Sequence, residues 1–213
     1  MQNNAKPPDE FNDVGPIYFC LVNGIRPDCD LHLYRKVNAD VAWYSTPYYL
    51  RESKIVYADP NGANPRLLVQ ADGPHSGDGD CWIATALYRY DGSADRFVRV
   101  YLNQTGHNNN QATRFAESGP LQGDIIVNDP TMNAPYGYWI EVYRANNAGE
   151  YKQVLRYRSR TRYNDGNPLA AIDSEMPAIL GHFNLWKPGD PLPVPPHMPT
   201  RCHQLSISSG EEW

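Results

Sequence analysis

Apolar and polar positions alternate over much of this chain. Residues 97–101 (FVRVY) alternate strictly, residues 154–158 (VLRYR) do much the same, and residues 125–127 (IIV) form a short apolar run. A period of two sends successive side chains to opposite faces of a pleated strand, so these segments predict strands. Turn-forming pairs separate them: Asn61-Gly62, Asp91-Gly92, Ala148-Gly149 and Asp165-Gly166. Helical periodicity is weak, and only residues 111–117 and 169–176 read as short helices. The pattern predicts an all-β protein with about ten to twelve short strands.

A longer-range pattern lies over the alternation. Tyr-Arg pairs at Tyr34-Arg35, Tyr88-Arg89 and Tyr143-Arg144 recur about 55 residues apart, each closing a strand-like segment. Further along come Glu52-Ser53, Glu117-Ser118 and Ser174-Glu175, and then Asp59-Pro60, Asp129-Pro130 and Asp190-Pro191. These marks predict a threefold pseudo-repeat with units 30–80, 81–136 and 137–191. Such a chain closes as a β-trefoil or β-prism, or else folds as a β-sandwich whose hairpins look alike. The last two units agree best, since each opens on Trp-Ile (Trp82-Ile83 and Trp139-Ile140). Trp82 and Trp139 are therefore expected at equivalent core positions. One β-rich domain over 14–186 is expected, with a flexible N-terminus at 1–13 and a proline-rich, extended tail at 187–213 that wraps the domain or leads to a partner.

Composition narrows the function classes. The chain has 213 residues, 41% of them apolar, with a net charge of −5. With this charge and no Lys/Arg run, nothing draws in a nucleic acid. Arg156, Arg158, Arg160 and Arg162 alternate and would share one strand face, which reads as a solvated face before it reads as an anion site. No uninterrupted stretch of 18 apolar residues is present, so no membrane span is expected. The N-terminal residues resemble neither a signal peptide nor a transit helix, leaving a cytoplasmic chain or a mature secreted one as the alternatives. Of the four cysteines, Cys20, Cys29, Cys81 and Cys202, none forms a CxxC pair, which argues against a thiolate zinc site. Cys20 and Cys29 flank the turn signal Asn23-Gly24 and could bridge in an oxidising compartment. The histidines show no metal-binding spacing, and no P-loop, GxGxxG or GxSxG segment occurs, so no cofactor is called for.

The sharpest local motif is residues 76–86 (SGDGDCWIATA). Its Gly-Asp-Cys-Trp core resembles the nucleophile segment of calpain-like and other papain-fold cysteine peptidases. That resemblance implies Cys81 as nucleophile at a helix N-terminus, His182 as base, and Asn184 or Asp190 as the group that orients it. The repeat points the other way: it aligns Cys81 with Tyr138 and makes the segment a strand. Asp72, Asp78 and Asp80 cluster weakly as a calcium loop would, but the terminal glutamate is missing, and a turn-forming loop is the plainer reading.

Aromatic residues supply the remaining signal, with 15 Tyr and 5 Trp against 5 Phe. Tyr and Trp pair a flat apolar face with a polar handle, which suits sugar stacking and protein contacts. Tyr44, Tyr48, Tyr49, Tyr136 and Tyr138, with the loop residues His107 and Asn109, are the candidate binding residues. The leading expectation is a non-catalytic binding module, lectin-like or protein-recognising, with a carbohydrate or protein partner. The alternatives are a cysteine-dependent hydrolase or transferase centred on Cys81, and a structural subunit docking through its proline-rich tail.

Overall fold

Strand pairing follows sequence order throughout. A computed structural model describes residues 19–23, 26–30, 49–74, 81–106, 111–162 and 170–191. Strands β1 (Phe19–Asn23) and β2 (Arg26–Asp30) form a separate hairpin in which Cys20 lies opposite Cys29. The first large sheet is an antiparallel meander of β3 (Tyr49–Tyr57), β4 (Pro65–Pro74), β5 (Cys81–Asp91) and β6 (Arg96–Gly106). The second is another such meander, of β7 (Ala112–Phe115), β8 (Ile125–Pro130), β9 (Gly137–Ala145) and β10 (Tyr151–Arg162). Helix α1 (Ala171–His182) follows. The all-β expectation holds: the described residues form ten strands, eight of them in the two large sheets, and six of these eight are nine residues or longer rather than short.

The turns form where Asn, Asp and Gly predict them. The Asp59 carboxylate accepts the amides of Asn61, Ala63 and Asn64, and Gly62 takes φ +68 between β3 and β4. Asp91 in the same way accepts the amides of Ser93 and Ala94 before β6, and Gly149 takes φ +78 between β9 and β10.

Three apolar layers hold the molecule together. Val56, Leu68 and Leu87 of the first sheet meet Phe115, Ile125, Val127 and Tyr151 of the second. Ile126, Tyr138, Ile140 and Val142 point away from that interface and are covered by Ile172, Met176, Ile179 and Leu180 of α1. The outer face of the first sheet buries Leu67, Val69, Ala86 and Tyr88. Each large aliphatic group so buried is worth roughly 1.5–3 kcal/mol.

That burial explains two departures from the sequence reading. Residues 111–117 were expected to be helical, yet residues 112–115 form β7, because pairing with β8 buries Thr113 and Phe115. The helix expected over 169–176 runs on through Pro177 to His182. Proline removes one backbone hydrogen bond, but ending the helix there would leave Ile179 and Leu180 uncovered.

The loop before β8 packs closely on the first sheet. A Cβ on Gly123 would lie 2.1 Å from the Ala58 carbonyl oxygen, so only glycine lets the loop before β8 sit on the β3–β4 turn. The Gln122 side chain donates to the Asp59 carbonyl at 3.2 Å, and the Tyr151 hydroxyl donates to the Gly123 carbonyl at 3.0 Å.

The strand pairing cuts across the predicted units, since 81–136 supplies β5 and β6 to the first sheet and β7 and β8 to the second, and it gives the threefold repeat no support. Leu67 pairs with Tyr88 and Leu68 with Leu87 in the first sheet, as Ile125 pairs with Tyr143 and Ile126 with Val142 in the second. Trp82 and Trp139, expected at equivalent core positions, are only half-buried and do not coincide: Trp82 lies opposite Gly73, six residues before Tyr88, and Trp139 opposite Asp129, four before Tyr143. Tyr34-Arg35, which marks the first unit, lies outside the described residues.

Candidate functional site

A groove of about 950 Å³ runs between β10 and the C-terminal half of α1. Glu175, on the buried side of α1, fixes its geometry. One carboxylate oxygen accepts the amides of Arg160 and Thr161 at 3.1 and 2.8 Å and the Thr161 hydroxyl at 2.6 Å. The other accepts the Tyr157 hydroxyl at 3.0 Å. These donors stabilise a charge that burial alone would penalise, and they tie the helix to the strand. Burial first, and then the Glu175 charge, push the Tyr157 hydroxyl well above its ordinary range. Tyr157 therefore stays protonated and donating at neutral pH.

Aromatic rings and guanidinium groups line the same groove. The Tyr157 ring lies 4.6 Å from the His182 ring at a tilt of 45°. Trp186 closes one end, held by a 3.0 Å hydrogen bond from its indole nitrogen to the Asp190 carbonyl. Arg158 donates to the Asn133 and Pro135 carbonyls at 2.6 and 2.8 Å, both neutral acceptors. Among the described residues neither Arg158 nor Arg160 has an ion pair; Arg158 is held by neutral acceptors, and Arg160 is exposed.

The four alternating arginines do not act as one solvated face. A register shift between Arg158 and Arg162 interrupts the alternation. Arg156 bonds Glu141 at 2.9 Å and stacks 4.2 Å above the Trp139 ring, whereas Arg158 and Arg160 line the groove.

A second polar cluster lies on the face of β8 and β9 turned towards the first sheet. The Tyr143 hydroxyl donates to Glu141 at 2.5 Å, and the Tyr143 ring meets Tyr101 edge-on at 5.4 Å. Burial first, and then the Glu141 charge, push the Asp129 carboxyl up to about 6, with Arg156 opposing.

The sequence-predicted residues are scattered across the structure. Cys81 opens strand β5, opposite Pro74, rather than the helix that the peptidase resemblance implies. His182 is on α1 against the second sheet. Asn184 follows the helix at φ +57, its amide bonded to the Gly181 carbonyl. The Asp190 carboxylate accepts the Lys187 amide rather than a histidine proton. Tyr49 and Asp72 are cross-strand neighbours in β3 and β4. Tyr136 is exposed in the loop before β9. Tyr138, expected among the surface aromatics, is 1% exposed in the core beneath α1, because the strand alternation turns it towards the helix. Tyr44, Tyr48, Asp78, Asp80, His107, Asn109 and most of the proline-rich tail lie outside the described residues.

Among the described residues no group of His, Cys, Asp and Glu could hold a metal ion, and no helix is long and apolar enough to cross a membrane. Sequence reasoning missed Tyr157, Glu175 and Trp186 as one constellation. The arginine alternation around Tyr157 was its only visible trace. Comparison with protein-family models, curated proteins and solved structures finds no match for the chain.

Proposed function

We propose that the chain is a non-catalytic binding module whose recognition site is the groove between β10 and α1, with a short saccharide as ligand. One observation carries this reading: Tyr157, His182 and Trp186 line a groove that also holds Arg158 and Arg160, while its buried carboxylate is saturated. Flat aromatic faces suit the apolar faces of sugar rings, and guanidinium groups suit their hydroxyl and carboxylate oxygens. Glu175 already accepts four protein donors, so it is poorly placed to shuttle protons. That favours binding over acid–base chemistry. The volume falls within the usual range for small-ligand sites, about 300–1,000 Å³.

Screening the full chain and a Trp186→Ala variant on a glycan array tests the proposal. Wild type is expected to retain a defined saccharide group, with the signal reduced at least tenfold in the variant. An array without hits rejects the saccharide reading. A protein partner is the second reading, favoured by Met132 and Tyr136, which stand 89% and 55% exposed on the loop that Arg158 holds beside the groove.

A further inference from the structure

The two sheets share a register but end it with different charges. In the second sheet Asp124 precedes β8 and Arg144 lies near the end of β9, one position out from the Ile125–Tyr143 pair. The Asp124 carboxylate accepts two hydrogen bonds from the Arg144 guanidinium, at 2.8 and 2.7 Å. In the first sheet, one position out from the matching Leu67–Tyr88 pair, stand Arg66 and Arg89. Two like charges thus face each other where the second sheet has an ion pair, an arrangement that disfavours folding unless a counter-charge is supplied.

No carboxylate among the described residues forms an ion pair with either arginine. Arg66 is buried, 9% exposed; one of its terminal nitrogens donates to the Pro65 carbonyl at 3.1 Å, and its Nε has no partner. The charge of Arg89 reaches Asp91, but that carboxylate is engaged by the Ser93 hydroxyl and by the turn amides of Ser93 and Ala94. Asp124 is committed to Arg144, and Glu150 to Lys152 and Asn146.

The β9–β10 turn brings the two arginines together. A Cβ on Gly149 would lie 3.3 Å from the Arg66 Nη2 and 3.9 Å from the Arg89 Cδ. Arg66 forms a buried floor beneath this turn and half-buried Arg89 a rim. A buried donor without a partner, beside a second cation, is the signature of a missing acceptor.

We propose that Arg66 and Arg89 form an oxyanion-binding site for a phosphate or sulfate group, either as the free ion or as an ester on a larger molecule. Guanidinium groups present paired donors that match tetrahedral oxyanions, and the bound charge would offset the repulsion between the two arginines. The site is separate from the β10–α1 groove and stands whether or not that groove binds saccharide.

The test titrates inorganic phosphate and sulfate into the full chain, with ionic strength held constant by chloride, using calorimetry and the Nε–H resonances of the arginine side chains. Saturable binding that shifts the Arg66 resonance is expected. The affinity should fall at least tenfold in Arg89→Gln, a half-buried position whose change leaves the core intact, and should be unchanged in Arg160→Gln, which alters only the groove. Arg66→Gln should abolish binding, and if that variant does not fold, Arg89→Gln alone carries the test. Glycerol 3-phosphate binding more tightly than inorganic phosphate would identify an ester as the ligand, and weaker binding would identify the free ion. A response no greater than that to chloride, or unchanged affinity in Arg89→Gln, overturns the proposal.

Discussion

The first and second sheets have the same strand order but differ in what packs on them among the described residues. Both are four-stranded meanders whose second and third strands pair in the same register. Their faces are used oppositely: Leu68 points into the space between the sheets, whereas its counterpart Ile126 points out towards α1. The second sheet has gained a helix tied down by Arg114–Asp173 and by Glu175, and at its end an ion pair, Asp124–Arg144. The first sheet has no helix among the described residues, and two arginines stand where that ion pair would be. The sheets therefore set the scaffold, and the groove arises where α1 packs beside β10.

The largest break in this comparison should come from Asp173→Ala. The Asp173 side chain is 3% exposed and accepts both ends of the Arg114 guanidinium, at 2.6 and 3.1 Å. Removing it takes the carboxylate from a mostly buried cation and loosens α1 from β7. The expected loss is about 3–4 kcal/mol in denaturant unfolding, with saccharide binding lost alongside it. A loss below 1 kcal/mol would mean that the helix is held by apolar contacts alone.

Asp124→Ala should come next. It makes the end of the second sheet resemble that of the first, but Arg144 is about half exposed and can rehydrate. The expected loss is about 2 kcal/mol, again by denaturant titration. If the loss matches that of Asp173→Ala, the solvent exposure of Arg144 does not soften the effect as argued.

The smallest effect concerns pH. The Asp129 carboxyl is raised to about 6 in the folded chain, above the unfolded value near 3.8. The protonated form is thus the better tolerated one. The stability it contributes is fully present below about pH 4 and is lost as pH rises through 6. Asp129→Asn should therefore gain about 1 kcal/mol at pH 7, allowing for partial solvent screening, and gain nothing at pH 4. Melting curves at the two pH values decide it, and an equal change at both would rule out this titration as the cause.

Much of the scaffold was legible in the sequence because strands and turns are encoded locally. The alternation at 97–101 and 154–158 and the Asn-Gly, Asp-Gly and Ala-Gly pairs mark β6, β10 and the turns between strands. The failures are non-local. Gln111, Ala112 and Glu117 favour a helix locally, but the partner strand β8 decides the matter. Pro177 reads as a stop, and only the sheet beneath α1 shows why the helix continues. Tyr138 looks like a surface aromatic until its face is known. The groove was less legible still. Tyr157 and Glu175 come together only because β10 is bulged and α1 crosses it, neither of which appears in residue spacing. The Arg66–Arg89 contrast was present as two Tyr-Arg marks, but the residue opposite each arginine needed the register.

Within the two sheets every paired strand is the neighbour of its partner in the chain. Such a molecule closes only short loops as it folds, so each meander can zip up hairpin by hairpin before the other exists, which is fast for a β protein. The late event is then the meeting of two finished sheets at Gly123 and Tyr151. A chain cut between Gly106 and Gln111 would leave both sets of strands whole, and its two pieces should find each other again by docking alone.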